Sequence, residues 1–238
     1  MRSLMEGSGT TETRLEGGDM NSVARVGDTV RRPPEPEHVR ELLLWYERVG
    51  FDGAPRFLGY DERGREVLSF IEGEPGFAPV PASDEVIVGI GQLLRRAHDA
   101  QKGFAPPGQV VAHMDLFWTN VIFRAGLPFA LIDWELAGPA TRTLELALAA
   151  TYWAGIRVDE QLVEWGIPLE RRGERLRLLC DAYGLETSGR ASLLGELIAY
   201  RRERIASRSF RGTTPVEVIE ANLRWTESHA QALTAFLV

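Results

Sequence analysis

The chain has 238 residues, 44% hydrophobic and 26% charged, with one cysteine and a formal net charge of −7. Such a chain buries a core without disulfides; a single cysteine excludes an internal disulfide framework or a Cys-based zinc site and suits a reduced, cytoplasmic setting. The acidic balance argues against nucleic acid as a partner, because phosphate backbones call for clustered positive charge.

Residues 1–14 are rich in Gly, Thr, Ser and Glu and read as a disordered tail, without the apolar segment of a signal or anchor. No apolar run approaches the ~20 residues that span a bilayer, so no membrane partner is expected. Met20 to Arg32 reads as a β-hairpin turning at Gly27-Asp28. Pro33-Pro34 ends it, and a helix is expected from Glu35 to Val49, stopped by Gly50, with Leu42, Leu43, Tyr46 and Val49 on one face. A second hairpin runs from Ala54 to Tyr60 and Glu66 to Ile71, and the Pro- and Gly-rich tract Gly73 to Pro81 is a linker. Beyond it Ser83 caps a helix carrying Val86, Ile90, Leu93, Leu94 and Ala97 inward. Short apolar runs follow at Gln109–Ala112, Val121–Phe123 and Phe129–Ile132, and everything after Thr143 is helical, broken near Gly166-Ile167-Pro168, Gly184 and Gly212. The predicted class is therefore α+β and bilobal: a β-rich N-lobe (15–72), a linker (73–82) and a larger, mostly helical C-lobe (83–238). Clefts between lobes commonly hold ligands.

The chemistry concentrates between Val110 and Glu145. A hairpin turning around Gly126-Leu127-Pro128 joins a strand begun by Asn120 to one ended by Asp133, which places 120 and 133 opposite each other. An amide oxygen and a carboxylate then converge, a pair suited to Mg²⁺, which takes few protein oxygens and completes its shell with phosphates and water. Asp115, on the loop entering the same end, is placed to accept the proton of an attacking hydroxyl.

His113-Met114-Asp115-Leu116-Phe117-Trp118-Thr119-Asn120 followed by Ile132-Asp133-Trp134 resembles the core of the aminoglycoside phosphotransferase and choline kinase superfamily, relatives of protein kinases. The resemblance implies a protein-kinase-like fold and ATP- and Mg-dependent transfer of a phosphoryl group to a small-molecule hydroxyl, as in antibiotic resistance. It assigns Asp115 as the catalytic residue, Asn120 and Asp133 as metal ligands, and His113 as a brace of the catalytic loop. Arg32 falls where the family has a strand lysine for the nucleotide phosphates, and Ser69, Phe70 and Ile71 fall on the hinge strand that meets adenine. Gly17-Gly18-Asp19-Met20-Asn21 resembles the nucleotide loop. Two departures stand out. Met114 replaces the usual Gly, and the helix glutamate that would pair with the strand cation is missing: Val39 aligns with it and Glu41 is the nearest acid.

The acidic surface suits a cationic acceptor, although solubility explains it equally well. Trp118, Trp134 and Glu135 flank the metal residues and have ordinary packing or capping explanations. Glu145 reads as a bracing residue. Two rival functions remain at this stage. One is a kinase for Ser or Thr of a peptide in a natural-product pathway; the other is a non-catalytic pseudokinase-like binding module, favoured by Arg32 and the missing glutamate.

Overall fold

A computed structural model describes residues 12–14, 23–76, 82–158, 166–207 and 214–237. The nucleotide-loop segment 17–21 and the expected break at Gly212 lie outside them. The N-lobe is an antiparallel five-stranded sheet in the order β1-β2-β3-β5-β4, built from β1 (Glu12–Arg14), β2 (Ala24–Val26), β3 (Thr29–Arg32), β4 (Phe57–Tyr60) and β5 (Glu66–Ser69). Glu12–Arg14, expected within the tail, is an edge strand on β2. Three exposed residues give no periodicity to read, and Glu12 is tied across the sheet to Arg65 at 2.7 Å.

Helix α1 (Glu37–Val49) begins two residues later than expected and ends at Gly50, whose φ of 73° is the left-handed conformation that favours glycine. The delay has a backbone cause. Pro36 disfavours the helical region for the residue before it, so Glu35 remains in the bend.

The C-lobe is organised by α2 (Asp84–Ala100), whose Ser83 cap accepts from the Val86 N–H. Ile87, Ile90, Leu93, Leu94 and Ala97 of α2 are buried. α2 packs against α4 (Leu169–Tyr183) so closely that a Cβ at Gly91 would lie 2.8 Å from the Leu179 carbonyl oxygen. α3 (Arg142–Trp153), α5 (Thr187–Ser207) and α6 (Val216–Thr234) complete the helical part. β6 (Glu74–Pro75), within the expected linker, pairs with β8 (Val121–Arg124), which pairs with β9 (Leu127–Leu131); β7 (Val110–Ala112) pairs with β10 (Gly138–Ala140). These two small sheets hold the loops that carry the candidate chemistry. Among the described residues no helix is long and apolar enough to cross a membrane.

Candidate active site

The β8–β9 hairpin turns on two residues, Ala125 and Gly126, with φ of 50° and 78°. Positive φ at both positions suits the right-handed strand twist. Val121 faces Leu131 and Ile122 faces Ala130, but a bulge between Ile122 and Phe123 shifts the register. In consequence Asn120 lies opposite Ile132, whose N–H donates to the Asn120 carbonyl at 2.9 Å. The expected 120–133 pairing is therefore off by one residue: the turn falls on Ala125-Gly126, one residue earlier than expected, which alone would set Leu131 opposite Asn120, and the bulge restores one of those two positions. Asp133 lies one step beyond the ladder and takes a left-handed φ of 64°. Such a backbone is costly outside glycine, though least so for Asp and Asn.

Asp115, Leu116 and Phe117 lead into a 3-10 turn at Trp118–Asn120. The Asn120 side-chain amide donates to the Asp115 backbone carbonyl at 3.0 Å and to its carboxylate at 3.1 Å. Both donations use the nitrogen, so the amide oxygen of Asn120 remains for another partner. Burial is the main cause that raises the Asp115 carboxyl above its ordinary range, with repulsion from Asp133 and Glu135 adding to it; the Asn120 hydrogen bond and Arg204 oppose this. The charge around Asp115 is thus mixed and does not single out a cationic acceptor.

The loop is held from behind. His113, 1% exposed, bonds through Nε2 to the Ile132 carbonyl at 2.8 Å and packs on Trp134 at 4.6 Å. Burial lowers its pKa to about 4, which keeps the ring neutral near pH 7. Glu145, fully buried on α3, accepts from the Met114 N–H at 3.3 Å, and its carboxyl is pushed up to about 7 by burial. Met114 sits at φ 66°, so this chain places a bulky side chain where the backbone favours glycine. Trp153 donates from its indole nitrogen to the Leu116 carbonyl at 2.9 Å.

The N-lobe contributes Arg32. Arg32 turns inward from β3 and is 7% exposed, while Arg31 faces Asp61 on the other side. The Arg32 guanidinium lies 2.9 Å from Asp133, 3.5 Å from Glu135 and 2.6 Å from Glu35. Glu66, its cross-strand neighbour on β5, is 2% exposed. Glu41, the nearest acid in sequence terms, is exposed on α1, and Val39 is fully buried. His38 at the start of α1 bonds the Ala137 carbonyl at 2.8 Å, tying that helix to the loop after Asp133.

Of the three hinge residues, two use their amides internally. The Ser69 N–H donates to the Arg56 carbonyl and the Phe70 N–H to the Asp28 carbonyl, each at 2.9 Å. Phe70 also carries the Arg25 guanidinium over its ring at 3.6 Å. Ile71 forms no backbone hydrogen bond among the described residues. A cavity of about 900 Å³ opens beside the hinge, lined by Glu74, Val86, Trp118, Phe123 and Trp153 among others. None of Arg32, Asp115, Asn120 or Asp133 lines it, so it does not mark the chemistry.

Sequence reasoning brought Asp115, Asn120, Asp133 and Arg32 to one place but missed Glu35, Glu66 and His38. Only the fold joins Glu66 and His38 to the site, since β3–β5 pairing and the helix-to-loop contact span long sequence separations, whereas Glu35 is a local partner of Arg32 hidden by its expected place in α1. Among the described residues no group of three or more His, Cys, Asp or Glu could hold a metal ion. The uncommitted amide oxygen of Asn120 and the carboxylate of Asp133, one residue beyond the position opposite Asn120, are oxygen donors of the kind Mg²⁺ takes before it completes its octahedron with phosphate and water.

Four similarities extend beyond the site. A family model described as "Phosphotransferase enzyme family" matches residues 53–179. The trifolitoxin immunity protein of Rhizobium leguminosarum bv. trifolii is 37% identical over 235 residues, covering 90% of each chain. Among solved structures, an amicoumacin kinase in complex with AMP-PNP and Ca²⁺ superposes with a TM-score of 0.66 at 11% identity, over 93% of this chain and 88% of that one. An aminoglycoside phosphotransferase from Alicyclobacillus acidocaldarius gives 0.59 at 13% identity, over 100% and 96%. At these identities the structural likenesses speak for the bilobal, kinase-like fold.

Proposed function

The chain belongs to the phosphotransferase enzyme family, and from that premise we propose that it transfers the γ-phosphoryl group of ATP, with Mg²⁺, to a hydroxyl of a small-molecule toxin in the cytoplasm. The observation that carries this reading is the hydrogen bond from Asn120 to the Asp115 carboxylate, beside the Arg32–Asp133 ion pair. One residue for the acceptor proton, two for a metal and one cation for phosphate lie within a single linked set.

In this mechanism Asp115 orients the acceptor hydroxyl and takes its proton as the oxygen bonds to the γ-phosphorus and the bond to the ADP oxygen breaks. The half-buried carboxyl is suited to this, because a raised pKa makes it a better base. Asn120 and Asp133 would hold the Mg²⁺, which neutralises phosphate charge when bound. Arg32 steadies the phosphates with a planar, permanently charged fork. Ile71, with its backbone uncommitted, meets the adenine edge, and His113 and Glu145 fix the loop in register. The toxin as acceptor class is supported by the immunity role named for the 37% identical relative.

The test is titration of ATP with and without Mg²⁺, followed by ADP release against a panel of hydroxyl-bearing antibiotics and toxins. Mg-dependent binding and acceptor-dependent ADP release are expected. A protein that binds no Mg·ATP would instead be a binding module, and the reading would be lost.

A further inference from the structure

The reaction just described relies on Arg32, which is charged at every working pH, so its use depends on what aims it. α1 supplies no partner: Val39 is buried and apolar, and Glu41 is exposed. The partner comes from the bend before the helix. Glu35 Oε1 lies 2.6 Å from Arg32 Nη1, with the two side chains only 5% and 9% exposed. Pro34 and Pro36 flank Glu35. Each proline fixes its own φ, and Pro36 confines Glu35 to extended backbone, so the carboxylate is presented from a stiff segment. The bond from His38 to the Ala137 carbonyl fixes the spacing between that segment and the loop carrying Asp133.

The geometry points to Glu35 as the positioning residue that holds Arg32 for the nucleotide phosphates, a role taken by the bend because the helix carries no glutamate for it. This rests on the nucleotide reading of the cleft given above. Arg32 Nη1 is shared between Glu35 and Asp133. Asp133 is a proposed metal ligand, and a carboxylate that gives its charge to a metal holds a neighbouring guanidinium less tightly. Glu35 is buried and outside the ligand pair, so it keeps Arg32 in place when Asp133 is otherwise engaged. Glu135, about half exposed and 3.5 Å away, is the weaker anchor. Removing the Glu35 charge leaves Arg32 drawn toward Asp133 and Glu135, which costs both the phosphate contact and the metal ligand.

The experiment compares the full-length wild type with Glu35→Gln and Glu35→Asp at pH 8.5, where the Glu35 carboxyl is ionised, by calorimetric titration with two probes, Mg·AMP-PNP and adenosine. Glu35→Gln keeps the shape and removes the charge; Glu35→Asp keeps the charge and shortens the reach. We expect Mg·AMP-PNP affinity to fall roughly tenfold to a hundredfold in Glu35→Gln, the scale of losing a charged hydrogen bond. Glu35→Asp should lose less, and adenosine affinity should stay at wild type in both. A merely structural role would lower both probes together, and that result, or unchanged Mg·AMP-PNP binding in both variants, overturns the assignment. If thermal melting shows Glu35→Gln unfolded, Glu35→Asp decides by the same two-probe contrast. Wild type that binds neither probe overturns the phosphotransferase reading and this inference with it.

Discussion

Glu145 ties the start of the Asp115 loop to α3, and its burial makes its contribution measurable. Its carboxyl, ordinarily at 4.5, is raised to about 7, first by burial and against the pull of the Met114 and His113 backbone N–H groups. The folded protein therefore binds this proton more tightly than the unfolded chain does. The stability that comes with the neutral form is complete below pH 4.5 and is lost as pH rises through about 7. At about 1.4 kcal/mol per pH unit the loss reaches roughly 3 kcal/mol. Glu145→Gln keeps the acceptor for Met114 and cannot ionise, so it should not suffer that loss. Urea unfolding of wild type and Glu145→Gln at pH 5 and pH 8 tests this. The two should be similar at pH 5, and the variant should be the more stable by roughly 3 kcal/mol at pH 8. Glu35, also raised to about 7, titrates over the same window in both proteins and cancels in the comparison. Parallel pH profiles would refute the idea that an ionising Glu145 strains the loop.

Three further outcomes follow from other contacts. Gly91→Ala would bring a Cβ to 2.8 Å from the Leu179 carbonyl oxygen and 2.9 Å from Ala182, so differential scanning calorimetry should show a loss of about 1–3 kcal/mol. Gln101 is buried, donates to Tyr46 Oη at 2.8 Å and to the Val111 carbonyl at 3.0 Å, and accepts from the Val111 N–H at 2.7 Å. Gln101→Ala leaves the Val111 N–H and carbonyl without this partner and takes one of two bonds from the Tyr46 hydroxyl, which should cost about 2 kcal/mol or more in urea unfolding. Asp133→Ala removes a proposed metal ligand and should weaken Mg·ATP by at least about tenfold, while ATP without Mg²⁺ binds as before; equal losses for both would point to a packing role.

The nearness of Asp115 and Asn120, and of Asp133 to the end of the same hairpin, was legible because it is local. Asp115, Asn120 and Asp133 lie within one loop and one hairpin, where spacing and a turn signal determine the neighbourhood. The placement of the turn was not legible: it falls on Ala125-Gly126, and together with the bulge between Ile122 and Phe123 it sets Asn120 opposite Ile132 instead of Asp133. A one-residue insertion leaves the run of apolar residues looking the same. The N-lobe shows the complementary case. Its strands and α1 follow from alternation and from Gly50, yet the partner of Arg32 was sought on the helix when it lies on the bend. Pro33-Pro34 alone would let Glu35 open that helix, but Pro36 disfavours helical backbone for the residue before it. Glu66 and His38 belong to the site through pairings of distant segments, and no single stretch of sequence carries them. The edge strand Glu12–Arg14 was missed for want of length.

The most direct test of the central claim separates chemistry from binding at Asp115. Asp115→Ala and wild type are compared for Mg·ATP affinity by calorimetry and for phosphoryl transfer to an acceptor identified with the wild type, followed by phosphorus NMR of the product. Affinity within about twofold, with transfer reduced by ~10² or more, is the predicted result for a general base. Transfer at the wild-type rate in Asp115→Ala would contradict the account.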